Sequence, residues 1–545
     1  MNVKKNILIV IPARGGSKGI PRKNLRLLSG KPLIYYIVKT AKESKYKPSI
    51  YVSSDDDEIL NTAVKFKVNT HKRDLKISDD KTTLDPVIYD CYLHAKSVEC
   101  KEYDIIITLQ PTSPLLSTKS LDLAIDKMIK ENNIDTLISA RDNTHLSWKK
   151  INNKFKPDYK RRLNRQYLTP QFTETGGFLI TRSSIISEEN RIGKNVELII
   201  LDNNEAIDID SYEDWNLCDY YLNRKKILFV VTGNSTVGLG HVYNTLLIAN
   251  DILNHEVLFL VDKESKMAHD VIQSKNYPVK IQKASNIIND IKTINPDIII
   301  NDILDTKQDY IKSLKENNYK IINFEDLGRG SKYADLVINA IYPKLDEIKN
   351  HHYGEEFFIL RDEFMLSNSK IINRKIKNIL ITFGGVDPSN YTKRVVDIIN
   401  EYCQENKITI NVVAGFGYNK YDSLKQYTNI NIHKDIKNIS DFMLLSDIIF
   451  TSAGRTVYEI ASIGTPAIII AQNKRELTHF FASAENGFIN MGLGKNITDI
   501  EIRNTFLELL NSYEKRKKMN SLMMKKDLKL GRKKVNKLIQ NLINN

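Results

Sequence analysis

Residues 4–24 read KKNILIVIPARGGSKGIPRKN, and the handover inside them from an apolar run to a glycine loop decides the fold class. Residues 7–11 are five apolar side chains in succession. A strand with one wet face would alternate apolar and polar residues. A continuous run therefore marks a strand buried on both faces, as in a parallel sheet covered by helices. The run closes on Pro12, then Gly15, Gly16 and Gly19, and a helical pattern follows. The same handover occurs twice more. Residues 225–241 read KKILFVVTGNSTVGLGH, and the apolar run 379–383 leads into Gly384-Gly385. Further strand candidates at 49–53, 105–108, 257–261, 297–301, 320–324, 335–339, 408–414, 448–452 and 466–471 alternate with helical stretches. The expected fold class is α/β. An internal segment built like a beginning suggests a fusion with its seam near 221–224. A polar segment, 367–375, separates the second strand-and-loop unit from the third. The expected domains are 1–222, 223–368 and 369–545.

A length of 545 residues fits about three to five compact units. With 41% hydrophobic and 27% charged residues, the composition excludes a disordered chain, a collagen and a disulfide-stapled miniprotein. Four scattered cysteines without a CxxC pair argue against a zinc ribbon or a thioredoxin motif and fit a reducing cytoplasm. No apolar stretch approaches the ~18 residues of a membrane span, and the run at 7–11 is too short for a signal peptide. A soluble, cytoplasmic protein is expected. The formal net charge is +14, but the segment from Lys515 onward holds eleven Lys/Arg against the single acid Asp527. Leu522, Met523, Leu528, Val535, Leu538 and Ile539 recur there at helical spacing. The tail reads first as a solvated amphipathic helix packed on its parent domain. A peripheral contact with an acidic membrane is the second reading. Nucleic acid is remote, since no motif that reads RNA or DNA is present.

The first loop carries the first chemistry. Gly15, Gly16 and Gly19 let the backbone come close to a polyanion, and the amides of Gly15, Gly16, Ser17 and Lys18 can cradle phosphate oxygens. Arg14, Lys18, Arg22 and Lys23 set four cations within ten residues. The order fits neither a Walker A loop nor a GxGxxG turn. Gln110 follows the apolar run 105–108, at the strand edge where side chains line a site. Asp208 and Asp210 alternate along an extended segment, so both carboxylates face one way. Such a pair near a phosphate loop suits Mg²⁺, although surface loops often carry the same pattern.

Together these residues resemble the acylneuraminate (CMP-nonulosonate) cytidylyltransferases. The loop, the Gln110 segment, Arg165-Gln166 ahead of Glu174-Thr175-Gly176-Gly177, and Asp208 to Asp210 with Asp214-Trp215 match that family in order and spacing over about residues 5–220. The resemblance implies a Rossmann-like nucleotidyltransferase domain that moves CMP from CTP to the anomeric hydroxyl of a nine-carbon nonulosonic acid, releasing pyrophosphate. It implies that Arg14, Lys18 and the catalytic Lys23 hold the triphosphate. Asn24, Arg73 and Gln110 would meet base and ribose, Asp208 and the catalytic Asp210 would hold Mg²⁺, and Arg165 and Gln166 would face the sugar acid. Arg73 is followed by Asp74 where the family has proline. A homo-oligomer through this domain is expected.

In the remainder, Gly238-Leu239-Gly240-His241 follows an apolar run and opens a helix. A helix start disfavours the imidazolium, which suits His241 as a general base. Asp326-Leu327-Gly328, Leu360-Arg361-Asp362-Glu363-Phe364, Phe383-Gly384-Gly385-Val386-Asp387 and Ser452-Ala453-Gly454-Arg455 through Glu459 follow in order. Over about 225–490 these resemble the UDP-sugar hydrolases of the pseudaminic acid pathway, which are similar in fold to MurG-type glycosyltransferases. The resemblance implies a two-domain glycosyltransferase-B-type fold with the UDP-sugar between its halves. Gly384, Gly385 and Gly454 would face the diphosphate, Glu459 the ribose, and His241 would activate the attacking water. The chain departs from that family before and after the histidine. Thr232-Gly233-Asn234 and Asn244 stand where arginines and an aspartate are usual. Two alternatives stay open for this half: a UDP-sugar-dependent glycosyltransferase and a non-catalytic UDP-sugar-binding module.

Overall fold

A computed structural model describes residues 5–16, 19–79, 81–234, 237–344, 348–415, 417–434 and 436–544. The chain separates into two compact units, Met1–Arg224 and Lys225–Asn545. The architecture is α/β throughout, with a Rossmann-like sheet in the first unit and two parallel sheets in the second.

The first unit is built on a seven-stranded sheet in the order Val196–Ile200, Thr136–Asp142, Phe172–Arg182, Ile105–Thr108, Ile7–Pro12, Ser49–Ser54, Asn69–Lys72. Its centre is parallel, and Phe172–Arg182 runs antiparallel to both of its neighbours. The uninterrupted run at 7–11 is explained by two cores. Ile7, Ile9 and Ile11 enter one beside Ile105 and Ile107, while Leu8 and Val10 enter the other beside Tyr51 and Ile106. Each successive side chain points to the opposite face, and both faces are covered by helices. The register of Phe172–Arg182 against Thr136–Asp142 shifts between Glu174 and Leu179. Gly176 and Gly177 lie in this irregular stretch, which carries the strand toward the 208–210 segment.

The second unit has two sheets. The first runs Val279–Ile281, Glu256–Val261, Lys226–Val231, Ile298–Asp302, Lys320–Phe324, Leu336–Asn339, His351–Tyr353, all parallel. The second runs Ile430–Lys434, Thr409–Ala414, Asn378–Ile381, Ile448–Thr451, Ala467–Ala471, Ile489–Leu493, also parallel. Ile227, Phe229 and Val231 pack on one face of their sheet and Leu228 and Val230 on the other.

The two cores do not divide at residue 368. Tyr342, Phe358 and Phe364 pack with Tyr458, Phe481 and Met523 of the later half. The basic tail folds as the helices Tyr513–Met524 and Gly531–Asn544, and the second of them returns to the earlier half. There Val535, Ile539 and Ile543 join the core of Ile227 and Phe229. Arg532 binds Asp251 through two nitrogens at 2.6 and 2.7 Å, Lys526 meets Glu355 at 2.7 Å, and Lys534 meets Glu356 at 2.5 Å. Arg516 is buried, donating to the carbonyls of Leu509, Leu510, Asn373 and Arg374. Much of the tail's charge thus meets the chain's own carboxylates and carbonyls. Among the described residues no helix is long and apolar enough to cross a membrane.

Candidate functional site

In the first unit the glycine loop leaves the central strand Ile7–Pro12 at its C-terminal edge. The Gly15 amide donates to Asp55 Oδ1 at 2.9 Å, and a Cβ on Gly15 would lie 2.7 Å from Asp56 Oδ2. A Cβ on Gly19 would lie 2.6 Å from the Asp210 carbonyl oxygen, so this glycine permits the loop to close against the 208–210 segment. Gly16 differs: a Cβ there would meet nothing within 4 Å, and the residue is exposed. The loop is therefore uncrowded on that side of Gly16. Ser17 and Lys18 lie outside the described residues. Arg14, Gly15, Arg22 and Asn24 line a small hollow with Asp56 and Ile59, and Arg22 is paired with Glu58.

Lys23 crosses from this loop to the acidic segment. Its Nζ donates to the Ile209 carbonyl at 2.5 Å and lies 3.5 Å from Asp210 Oδ1. Ile209 is buried, whereas Asp210 is exposed, so the segment is anchored by its apolar middle residue. The Ile209 amide donates to the Thr112 carbonyl at 2.8 Å, which ties this segment to the loop after Gln110. The Gln110 amide in turn donates to the Gly176 carbonyl at 3.3 Å. A Cβ on Gly176 would fall 2.9 Å from Ser113 Oγ and 3.0 Å from Asp208 Oδ1, so only glycine lets these elements meet.

At that meeting point Ser113 Oγ and Asp208 Oδ1 are buried without a hydrogen-bond partner. Burial, with the charge of Asp210 beside it, pushes the Asp208 carboxyl above its ordinary range. An orphaned carboxylate oxygen next to a second carboxylate is chemistry that a divalent cation satisfies. Among the described residues no group of three or more His, Cys, Asp and Glu could hold a metal. An ion here would share two carboxylates with substrate oxygens.

The other expected residues of this unit have neighbours within the chain. Asn24 Nδ2 donates to the Arg14 carbonyl at 2.9 Å and so holds the loop's backbone. Arg73 is buried and donates to the Ser53 carbonyl at 2.8 Å, and burial lowers its pKa. Asn24 thus braces the loop itself, and Arg73 the end of the strand Ser49–Ser54. Arg165 and Gln166 occupy a short 3-10 turn on an exposed arm, with the Arg165 guanidinium 3.8 Å from Asp142 Oδ2.

In the second unit His241 stands in the first turn of the helix Gly240–Asp251. Its Nδ1 is 2.5 Å from Asp302 Oδ1, at the end of the strand Ile298–Asp302. A carboxylate can only accept, so Nδ1 carries a proton, and in the neutral ring Nε2 is the nitrogen with the lone pair. Asp302 Oδ2 accepts from Asn244 Nδ2 at 2.8 Å, and Asn244 Oδ1 accepts from Arg455 Nη2 at 2.8 Å. Arg455 Nη1 is 3.7 Å from Oε1 of Glu325, a fully buried carboxyl. Burial pushes Glu325 up to about 7, with Arg455 opposing the shift and Asp302 adding to it. One chain of polar groups thus joins His241 to the later half. Sequence reasoning found its histidine and missed Asp302, Glu325 and the role of Arg455. Asp302 ends one strand and Glu325 directly follows another, and that position was the available signal.

The later half carries the other expected glycines. Gly384 has φ +82° and, like Gly385, has open space where a Cβ would be. Gly454 has only Ser452 Oγ near, at 3.7 Å. The helix Thr456–Ile463 is pinned by an aromatic pile: Tyr458 stacks on Phe358 at 4.1 Å and on Phe481 at 4.3 Å. Glu459 is the residue expected at the ribose. Its Oε1 accepts from Arg361 Nε at 2.8 Å, so one carboxylate oxygen is already engaged.

Comparison with known proteins bears on both units. A family model described as cytidylyltransferase matches residues 8–226. The chain is 33% identical over 317 residues to an uncharacterized protein of Methanocaldococcus jannaschii, covering 50% of this chain and 64% of that one. It is 33% identical over 236 residues to the pseudaminic acid cytidylyltransferase of Campylobacter jejuni, covering 42% of this chain and 98% of the relative. A Helicobacter pylori protein named pseudaminic acid cytidylyltransferase and UDP-2,4-diacetamido-2,4,6-trideoxy-beta-L-altropyranose hydrolase is 23% identical over 486 residues. That alignment covers 85% of this chain and 87% of the relative. The chain spans 64% of the length of the Methanocaldococcus protein and half that of a Danio rerio N-acylneuraminate cytidylyltransferase.

Proposed function

Because the chain belongs to the cytidylyltransferase family, we propose that its first unit transfers CMP from CTP to a nonulosonic acid and that its second unit hydrolyses a UDP-linked diacetamido-trideoxyhexose. The first activity rests on the meeting of the glycine loop with the acidic segment, through Lys23 at Ile209 and Asp210 and through Gly19 against the Asp210 carbonyl, next to the buried Asp208. The anomeric oxygen of the sugar acid attacks the α-phosphorus of CTP in line, and pyrophosphate leaves. Positioning and charge neutralisation do most of the catalysis in such a step. Arg14 and Lys23 carry the positive charge, and Gly15 and Gly16 offer amides. Asp208 and Asp210 are the residues that would hold Mg²⁺, and their orphaned oxygen and mutual charge fit such an ion. When bound, it supplies Lewis-acid neutralisation of the leaving pyrophosphate.

The second activity rests on the His241–Asp302 pair. Asp302 fixes the ring so that Nε2 can take a proton from a water attacking the anomeric carbon, and UDP leaves with inversion. Hydrolysis is favoured over transfer by the Helicobacter relative, whose name includes a hydrolase and which aligns across both units. A homo-oligomer through the first unit belongs to this reading, supported by an arm on which Phe155 and Tyr167 are 71% and 68% exposed. The exposed Lys517, Lys518, Lys525, Lys533 and Lys537 are the residues left for a peripheral contact with an acidic membrane.

The deciding experiment is CTP-dependent pyrophosphate release across a panel of nonulosonic acids, run beside UDP release from UDP-sugars without an acceptor. No pyrophosphate with any acid refutes the first activity. UDP release that requires an added acceptor replaces hydrolysis by glycosyl transfer.

A further inference from the structure

We propose that Arg455 takes up the charge of the departing diphosphate in the second unit, donating to the sugar-proximal phosphate while His241 receives the proton of the attacking water. The inference rests on the UDP-sugar reading of that unit and assigns a role to a residue outside it.

A guanidinium offers five N–H donors. Among the described residues the Arg455 guanidinium makes one hydrogen bond, to Asn244 Oδ1 at 2.8 Å. Its nearest carboxylate oxygen, on Glu325, is 3.7 Å away, beyond hydrogen-bond reach. Asp302, two bonds further along the chain of polar groups, is already engaged by His241 and Asn244. Most of the guanidinium's donors are therefore unused, although its side chain is only 24% exposed. A partly buried cation with unused donors is a site prepared for an anion.

Its placement selects which anion. A Cβ on Gly240 would come 3.5 Å from Arg455 Cδ, so the stem lies against the residue next to His241. The guanidinium sits 4.6 Å over the ring of Phe358, which the Tyr458 stack holds in place. Arg455 also flanks the helix Thr456–Ile463, whose first amides receive no side-chain cap. Gly454, the residue before it in the chain, has only Ser452 Oγ near the place of a Cβ, at 3.7 Å. The base that activates water and the cation that receives the leaving group are then joined through Asp302 and Asn244. In the step itself the water oxygen bonds to the anomeric carbon as the bond from that carbon to the diphosphate oxygen breaks. The bonding electron pair departs with the diphosphate, and the water proton goes to His241 Nε2. Arg455 neutralises the charge that appears on the diphosphate.

The structure also explains how the chain manages without an arginine at position 244. Asn244 is buried, and its two amide atoms orient Asp302 on one side and Arg455 on the other. The cation arrives from the later half.

The test is calorimetric titration of the full-length protein with UDP and with UMP, for the wild type, Arg455→Met and Arg455→Lys, with melting temperatures on the same preparations. Losing a charge-assisted contact to the second phosphate should weaken UDP by about ten- to a hundredfold and leave UMP within about twofold. The lysine variant keeps the charge without the fork and should lose several-fold of the UDP preference. If Arg455→Met does not fold, the lysine variant decides. An unchanged ratio of UDP to UMP affinity in the folded variants, or an equal loss for both, overturns the role. A wild type that binds neither nucleotide overturns the UDP-sugar reading and this inference with it. Wild-type binding with unchanged variants overturns this inference alone.

Discussion

Asp302 controls which nitrogen of His241 is available, so replacing its charge should be felt in chemistry before it is felt in folding. In Asp302→Asn the amide can present either a donor or an acceptor to Nδ1, and the ring loses its defined tautomer. UDP release should fall by about 10²–10⁴-fold with little change in KM, and unchanged turnover in a folded variant would refute the pairing. Asp208 makes the opposite trade. Burial and Asp210 raise its carboxyl's pKa in the folded chain, so its charge costs stability at neutral pH. Asp208→Asn should raise the melting temperature measured in chelator while lowering pyrophosphate release at least a hundredfold. A variant both destabilised and active contradicts both halves of that statement. Glu325 supplies a pH signature. Its carboxyl moves from 4.5 to about 7 on folding, among Arg455, Asp302, His241, Tyr342 and Tyr458. The folded state therefore holds the proton more tightly, and stability declines as pH rises from 4.5 to 7. Glu325→Gln should remove that decline, on the order of 3 kcal/mol between pH 4.5 and 8, read as the difference in unfolding free energy. His241 was legible because a glycine loop and a helix start frame it. Asp302 and Glu325 were not, because their partners lie on other elements and no local pattern joins them.

The interior parallel strands were legible almost to the residue. The runs at 105–108 and 320–324 coincide with Ile105–Thr108 and Lys320–Phe324, and the run at 448–452 overshoots Ile448–Thr451 by one. Continuous apolar runs occur because both faces are buried, and so they mark interior strands. Edge strands such as Asn69–Lys72 and Val279–Ile281 carry polar residues and give no such signal. Phe172–Arg182 was hidden for another reason, since two glycines and a register shift interrupt it where it approaches Asp208. The tail's helical spacing was also visible, but its destination was not. Apolar periodicity states that a face is buried and is silent about what covers it. Because Ile539 packs into the core of the earlier half, Ile539→Ala should destabilise the second unit by about 2–5 kcal/mol in denaturant titration. A loss under about 0.5 kcal/mol would mean that the helix is loosely held.

The division between Arg224 and Lys225 makes a prediction for the whole chain. Residues 1–224 expressed alone should release pyrophosphate from CTP, and residues 225–545 should release UDP. A folded first fragment that is inactive with every sugar acid would show that the transferase needs the second unit. The return of the helix Gly531–Asn544 to the core around Ile227 has a consequence for synthesis on the ribosome. The first unit finds all of its strands within its own 224 residues and can close while translation continues. The sheet that begins at Lys226 cannot, because Val535, Ile539 and Ile543 emerge only after the entire later half has been made. Throughout that interval the nascent chain carries an uncovered apolar face, and a ribosome that stalls within the later half leaves it for chaperones or proteases to find.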